Sequence, residues 1–138
     1  MKRYILILSL IFAGCSVGFN KTYSLIKEKI ANHKWVVVDT NKTIPMNATL
    51  TLNPPRKYIG EFSGFAGCNH YRGKYTVYSH FIHFKIENIG TNVCSLNIQE
   101  QNFLKRLVRT SKIFIVGGKM LILTDKDKNK LVKFIKIK

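Results

Sequence analysis

From Trp35 onward the chain breaks into short runs whose apolar residues recur at every second position, and that period commits it to paired strands. Successive side chains of a strand point to opposite faces, so each run can bury one face only by lying beside another. Trp35–Asp39 is apolar and β-branched, and Thr49–Leu52 alternates as Thr-Leu-Thr-Leu. Asn53-Pro54-Pro55-Arg56 ends that run, because proline cannot donate to a ladder. Tyr58–Ser63, Lys74–Tyr78 and Phe81–Glu87 follow; in the last, Ile82, Phe84 and Ile86 face one way and His83, Lys85 and Glu87 the other. Lys112–Val116 and Lys119–Thr124 flank Gly117-Gly118, a hairpin signal. Asp125–Lys130 reads as a charged turn and Leu131–Ile137 as the last strand.

One segment departs from the pattern. Ile98–Thr110 sets Phe103, Leu104, Leu107 and Val108 at helical spacing, with Lys105, Arg106 and Arg109 on the other side. Asn97, three residues before Glu100, reads as a capping arrangement. The expected fold is therefore α+β: a small antiparallel β-sheet or cracked β-barrel with one amphipathic helix. A chain of 138 residues, 46% of them apolar, suits one domain with a real core. That domain is expected over residues 35–138.

The N-terminus has a different grammar. Met1-Lys2-Arg3 is basic, Tyr4–Phe12 is apolar except for Ser9, and Phe12-Ala13-Gly14-Cys15 follows. This order describes a signal peptide over 1–14; the apolar stretch is short of the ~20 residues that span a bilayer. Phe12-Ala13-Gly14-Cys15 resembles the lipobox of bacterial lipoproteins, which implies lipidation of Cys15. An uncleaved signal-anchor over Tyr4–Phe19 and an ordinary secretory signal are the alternatives. Ser16 at the next position implies, by the same resemblance, the outer membrane, with the protein facing the periplasm. Residues 15–34 then read as a lipid-anchored tether, in which Ser24–Ile30 could form a short helical turn.

Charge limits the partners. The formal net charge is +16, and Lys105–Lys138 alone holds 11 basic and 2 acidic residues. Such a surface suits phosphates, but an exported lipoprotein meets anionic lipid headgroups or acidic glycans rather than nucleic acid. High charge for solubility alone explains it as well. No carboxylate pair is poised for catalysis, and Gly117-Gly118-Lys119 lacks the rest of a phosphate loop. His80 and His83 fall on opposite faces of a strand, so no metal and no cofactor is expected. Asn20, Asn41 and Asn47 each open an Asn-x-Thr acceptor, normally silent in bacteria.

With Cys15 lipidated, Cys68 and Cys94 remain as an even pair in an exported chain, and such pairs oxidise. The other reading is a thiol nucleophile at Cys68-Asn69-His70.

The run Gly64-Phe65-Ala66-Gly67-Cys68-Asn69-His70-Tyr71-Arg72-Gly73-Lys74-Tyr75 resembles the signature of the META/HslJ family, G-x-x-G-C-N-x-x-x-G-x-Y. Its fixed positions here are Gly64, Gly67, Cys68, Asn69, Gly73 and Tyr75. Trp35, the Thr49–Leu52 strand, Thr91 before Cys94, Glu100-x-x-Phe103-x-x-x-Leu107 and Leu121-x-Leu123 fall in family order. The resemblance implies a non-enzymatic envelope lipoprotein, linked to heat shock or antibiotic tolerance, that binds or scaffolds an envelope protein partner. It implies a fold similar to a lipid-binding secretion pilot protein, so a carrier of an acyl chain is the alternative. On the residues alone, the glycines and Asn69 read as a tight disulfide-bearing corner.

Overall fold

The computed structural model describes residues 21–39 and 41–137. The signal peptide over 1–14, Cys15 and the first part of the tether lie outside the described residues. The elements are α1 (Lys21–Leu25), continued by a π-helical turn (Ile26–Ile30), β1 (Lys34–Val37), β2 (Thr49–Leu52), β3 (Ile59–Phe65), β4 (His70–Tyr78), β5 (Phe81–Ile89), α2 (Asn97–Arg109), β6 (Lys112–Val116), β7 (Met120–Thr124) and β8 (Lys130–Lys136). All strands pair antiparallel in one sheet of eight, in the order β5-β4-β3-β2-β1-β8-β7-β6.

The period-two pattern sets which face is buried. Along β4, Tyr71, Gly73, Tyr75 and Val77 are buried while their neighbours are exposed. Along β5, Ile82 and Phe84 are buried. The sheet is strongly curled around that face. β4 and β8 have three strands between them, which in a flat sheet would separate them by roughly 19 Å. Yet the ring of Phe103 on α2 lies 5.8 Å from Tyr71 on β4 and 6.2 Å from Phe134 on β8. The helix therefore fills the concave side, and Phe103 and Leu107 are fully buried there. The sheet is not closed: its edges β5 and β6 come together where the Ile82 N–H donates to the Ser111 carbonyl at 2.9 Å. The Lys112 ammonium lies 5.6 Å from the centre of the Phe81 ring across the same seam.

Three expectations are corrected. The first is the single helix: within the expected tether over 15–34, the stretch from Lys21 to Ile30 is helical and packed. Ile26 and Ile30, one turn apart, are both fully buried. The Ala31 N–H closes the wide turn on the Ile26 carbonyl at 2.7 Å, and the Trp35 indole Nε1–H donates to the Ile30 carbonyl at 3.1 Å. The helical turn expected at Ser24–Ile30 is thus present and starts earlier, at Lys21.

The second correction is the start of β4, at His70 rather than Lys74. Gly73 sits on the buried face beside a bulge, and a glycine on the apolar side interrupts the visible alternation. A Cβ there would lie 2.0 Å from the Lys85 carbonyl oxygen of β5, so the strands approach where only glycine fits. The third is the helix cap. Leu96 occupies the cap position without a side-chain hydrogen bond, and Asn97 is already helical. The Glu100 carboxylate does not turn back to Asn97, because the β3–β4 corner holds it.

Candidate functional site

The β3–β4 connection is a tight corner, closed by the Ala66 N–H donating to the Asn69 carbonyl at 2.8 Å. Gly67 turns it with φ +110°, a region closed to most side chains, and a Cβ there would meet Pro45 Cγ at 2.4 Å. Cys68 at its tip is joined by a disulfide to Cys94, in the segment between β5 and α2, with Cα atoms 6.2 Å apart. That separation lies inside the usual disulfide range.

A second clamp lies under the disulfide. Glu100, in the first turn of α2, is buried, and its Oε2 accepts from the Cys68 N–H at 3.0 Å and the Asn69 N–H at 2.7 Å. Its Oε1 accepts from Asn69 Nδ2 at 2.9 Å. The Asn69 amide also spans to the connecting segment after β5: Nδ2 donates to the Asn92 carbonyl at 3.0 Å, and Oδ1 accepts from the Asn92 N–H at 2.7 Å. A Cβ on Gly90 would stand 2.7 Å from that Oδ1, so glycine leaves room for the amide.

Every polar atom of Asn69 and Glu100 thus has a protein partner, as buried polar groups require. Cys68 carries no free thiol in this state. The corner is chemically a joint: three hydrogen bonds hold the first turn of α2, and two hydrogen bonds and the disulfide hold the segment that leads into it.

The remaining signature residues serve the same frame. A Cβ on Gly64 would lie 2.1 Å from the Thr49 carbonyl oxygen of β2. That carbonyl accepts from the Tyr71 hydroxyl. Tyr75 crosses under β3 at Gly60, and its hydroxyl donates to the Asn53 carbonyl at the end of β2. Burial pushes both phenols above their usual range.

The structure thus brings Gly67, Cys68, Asn69 and Cys94 together and distributes Gly64, Gly73 and Tyr75 along the sheet. The sequence reading missed Asn92, Gly90 and the true role of Glu100. A signal for Glu100 existed: with Phe103, Leu104 and Leu107 it occupies the i, i+3, i+4, i+7 face, where a carboxylate has to find donors.

His70 faces outward beside Phe65, with ring centres 5.1 Å apart. His80 lies in the β4–β5 turn and His83 on the exposed side of β5. Among the described residues no three His, Cys, Asp or Glu side chains gather in a way that could hold a metal ion.

The sequence model of the META domain matches residues 28–137. The chain belongs to the META domain family. The match begins before β1, in the packed helical segment, so the META domain here includes the Ile30–Trp35 contact. No curated protein matches the chain. A solved structure, described as the NMR structure of the protein from Burkholderia xenovorans, is similar with a TM-score of 0.59 at 20% identity, covering 81% of this chain and 86% of that one. At that identity the likeness speaks for the fold alone: this META domain shares its architecture.

Proposed function

We propose that this META domain protein is a non-enzymatic envelope protein, anchored by a lipid on Cys15 and facing the periplasm from the outer membrane. It works there as a rigid module that binds or scaffolds an envelope protein partner. The observation that carries this reading is the β3–β4 corner. The most distinctive residues of the chain are spent on a disulfide and a saturated hydrogen-bond joint, and none of their polar atoms is left to engage a substrate. A disulfide also accords with export into an oxidising compartment. No helix among the described residues is long and apolar enough to cross a membrane.

The carrier reading has less support, because the concave side is filled by Trp35, Phe62, Tyr75, Phe84 and Phe103, all buried. The link to heat shock or antibiotic tolerance rests on the family resemblance.

Two measurements test the proposal. Labelled fatty acid is expected to enter the parent chain and not Cys15→Ser; incorporation into both refutes the anchor. Thiol titration of the unfolded, unreduced mature protein is expected to find no free thiol on Cys68 or Cys94. Two free thiols there would remove the joint and restore the nucleophile at Cys68-Asn69-His70. Co-purification from membranes with mass spectrometry then identifies the partner.

A further inference from the structure

The convex face of the sheet is divided. On β3, β4 and β5 its middle is polar: Glu61, Lys74 and Lys85 face one another across the strands, as do Ser63 and Arg72, while Ile59, Tyr78 and Phe81 are exposed at one end. On β1, β8, β7 and β6 it is apolar. Register aligns Val36, Ile135, Met120 and Val116 in one row across all four strands. The next row holds Phe114, Ile122 and Lys133. Phe114, Val116 and Ile135 are 43%, 52% and 46% exposed. These residues cannot be core, since the alternate positions Leu121, Leu123, Val132 and Phe134 fill it. A continuous exposed apolar patch marks a surface that something covers.

Charge identifies the occupant. The four strands contain no acidic residue, and lysines punctuate them: Lys34 beside the first row, Lys133 within the second, Lys119 in the β6–β7 turn. Two copies joined through this face would bring those lysines together without a counter-charge. An anionic lipid surface supplies the counter-charge and takes the apolar side chains between its headgroups.

The chain path points the same way. Lys21, where the described chain begins, lines one depression together with Leu25, Lys112 and Phe114 at the edge of the patch. Six residues at the full extension of a peptide reach about 20 Å, so a lipid on Cys15 holds the bilayer close to this side of the sheet. We propose that the β6–β7–β8–β1 convex face is a docking surface for anionic bilayers, which lays the domain flat on the membrane with its β3–β5 face turned outward. The face and its charge stand independently; the orientation argument rests on the lipid-anchor reading above.

The test uses the full chain with Cys15→Ser, so that no acyl group contributes, and vesicles of phosphatidylglycerol or of phosphatidylcholine containing brominated lipid. Phe114→Trp places a fluorophore in the patch, and Tyr78→Trp, 76% exposed at the end of β4, places one on the β3–β5 half. Quenching is expected for Phe114→Trp on phosphatidylglycerol, lost at raised salt and absent on phosphatidylcholine, with none for Tyr78→Trp. Lys133→Glu combined with Ile135→Ser is expected to lower partitioning onto phosphatidylglycerol at least about tenfold, with the melting temperature retained.

Equal quenching at both positions, or none at Phe114→Trp, overturns the proposal; the first outcome also describes insertion through Tyr4–Phe12 without orientation. A dimer in sedimentation that Ile135→Glu dissociates overturns it in favour of a second copy. Failure of the lipid anchor registers separately, as loss of fatty-acid labelling in the parent chain while the quenching pattern stays.

Discussion

Glu100 shows how one side chain can contradict its own local sequence. Three residues after Asn97 it has the spacing of a helix cap, but its carboxylate holds the backbone of the β3–β4 corner instead. Its three bonds at 2.7–3.0 Å predict that Glu100→Gln turns an amide N–H₂ toward N–H donors and costs about 1–3 kcal/mol. Denaturant titration of the oxidised protein measures this; a change under about 0.5 kcal/mol would mean the corner does not depend on the carboxylate. Tyr71 gives a pH signature. Burial holds its phenol protonated in the folded state, while the unfolded chain releases the proton near the usual value of 10.0. Its contribution is therefore intact below pH 10 and declines as pH rises beyond that toward the folded pKa. Tyr71→Phe should flatten the alkaline limb of stability against pH. At neutral pH it should cost about 1 kcal/mol for the lost bond to the Thr49 carbonyl. An unchanged alkaline limb would refute the assignment.

Among the elements, the helical segment Lys21–Ile30 and the helix α2 close the buried face from different ends of the sequence. The first is tied down by Ile26, Ile30 and the indole of Trp35. Ile30→Ala is accordingly expected to destabilise the domain by about 2–5 kcal/mol, read as a drop in melting temperature; a tether would show no change. α2 is held at its start by the corner and along its length by Arg106, whose guanidinium donates to the Thr43 hydroxyl at 2.9 Å and the Leu131 carbonyl at 3.3 Å. Thr43 in turn belongs to the loop that Asp39 organises, its carboxylate accepting from the backbone of Asn41, Thr43 and Ile44. Desolvation acts to raise the Asp39 pKa, but these bonds outweigh it and hold the group below its usual value.

At the scale of the whole molecule, an eight-stranded sheet curls until its two edges touch without joining. The seam between β5 and β6 rests on the Ile82–Ser111 hydrogen bond and the Lys112–Phe81 contact, while β4 is laddered on both sides from Tyr71 to Val77. Local opening should therefore start at the seam. Hydrogen exchange of the Ile82 amide is expected to be faster than that of the β4 amides between Tyr71 and Val77, and equal protection would indicate a closed barrel. The same curl separates a filled concave side from a convex side on which β6, β7, β8 and β1 carry a continuous apolar row and the middle of β3, β4 and β5 carries charges.

Much of this is written locally. The strands Thr49–Leu52, Phe81–Glu87 and Lys112–Val116, the hairpin at Gly117-Gly118 and the apolar stripe of α2 follow from periods of two and 3.6, which near neighbours determine. The signature from Gly64 to Tyr75 was legible as a family resemblance, and the pairing of Cys68 with Cys94 as the even pair left in an exported chain once Cys15 carries the lipid. What depends on distant partners was not legible. Glu100 finds its donors some thirty residues away, Gly73 is small because β5 passes over it, and Ile26 and Ile30 acquire meaning only beside Trp35. The apolar row from Val36 to Val116 exists only once four strands are in register. Local periodicity determined which segments are strands and which face each would bury; only the folding of the sheet upon itself decided which of those residues meet, because curl and register are properties of all eight strands together.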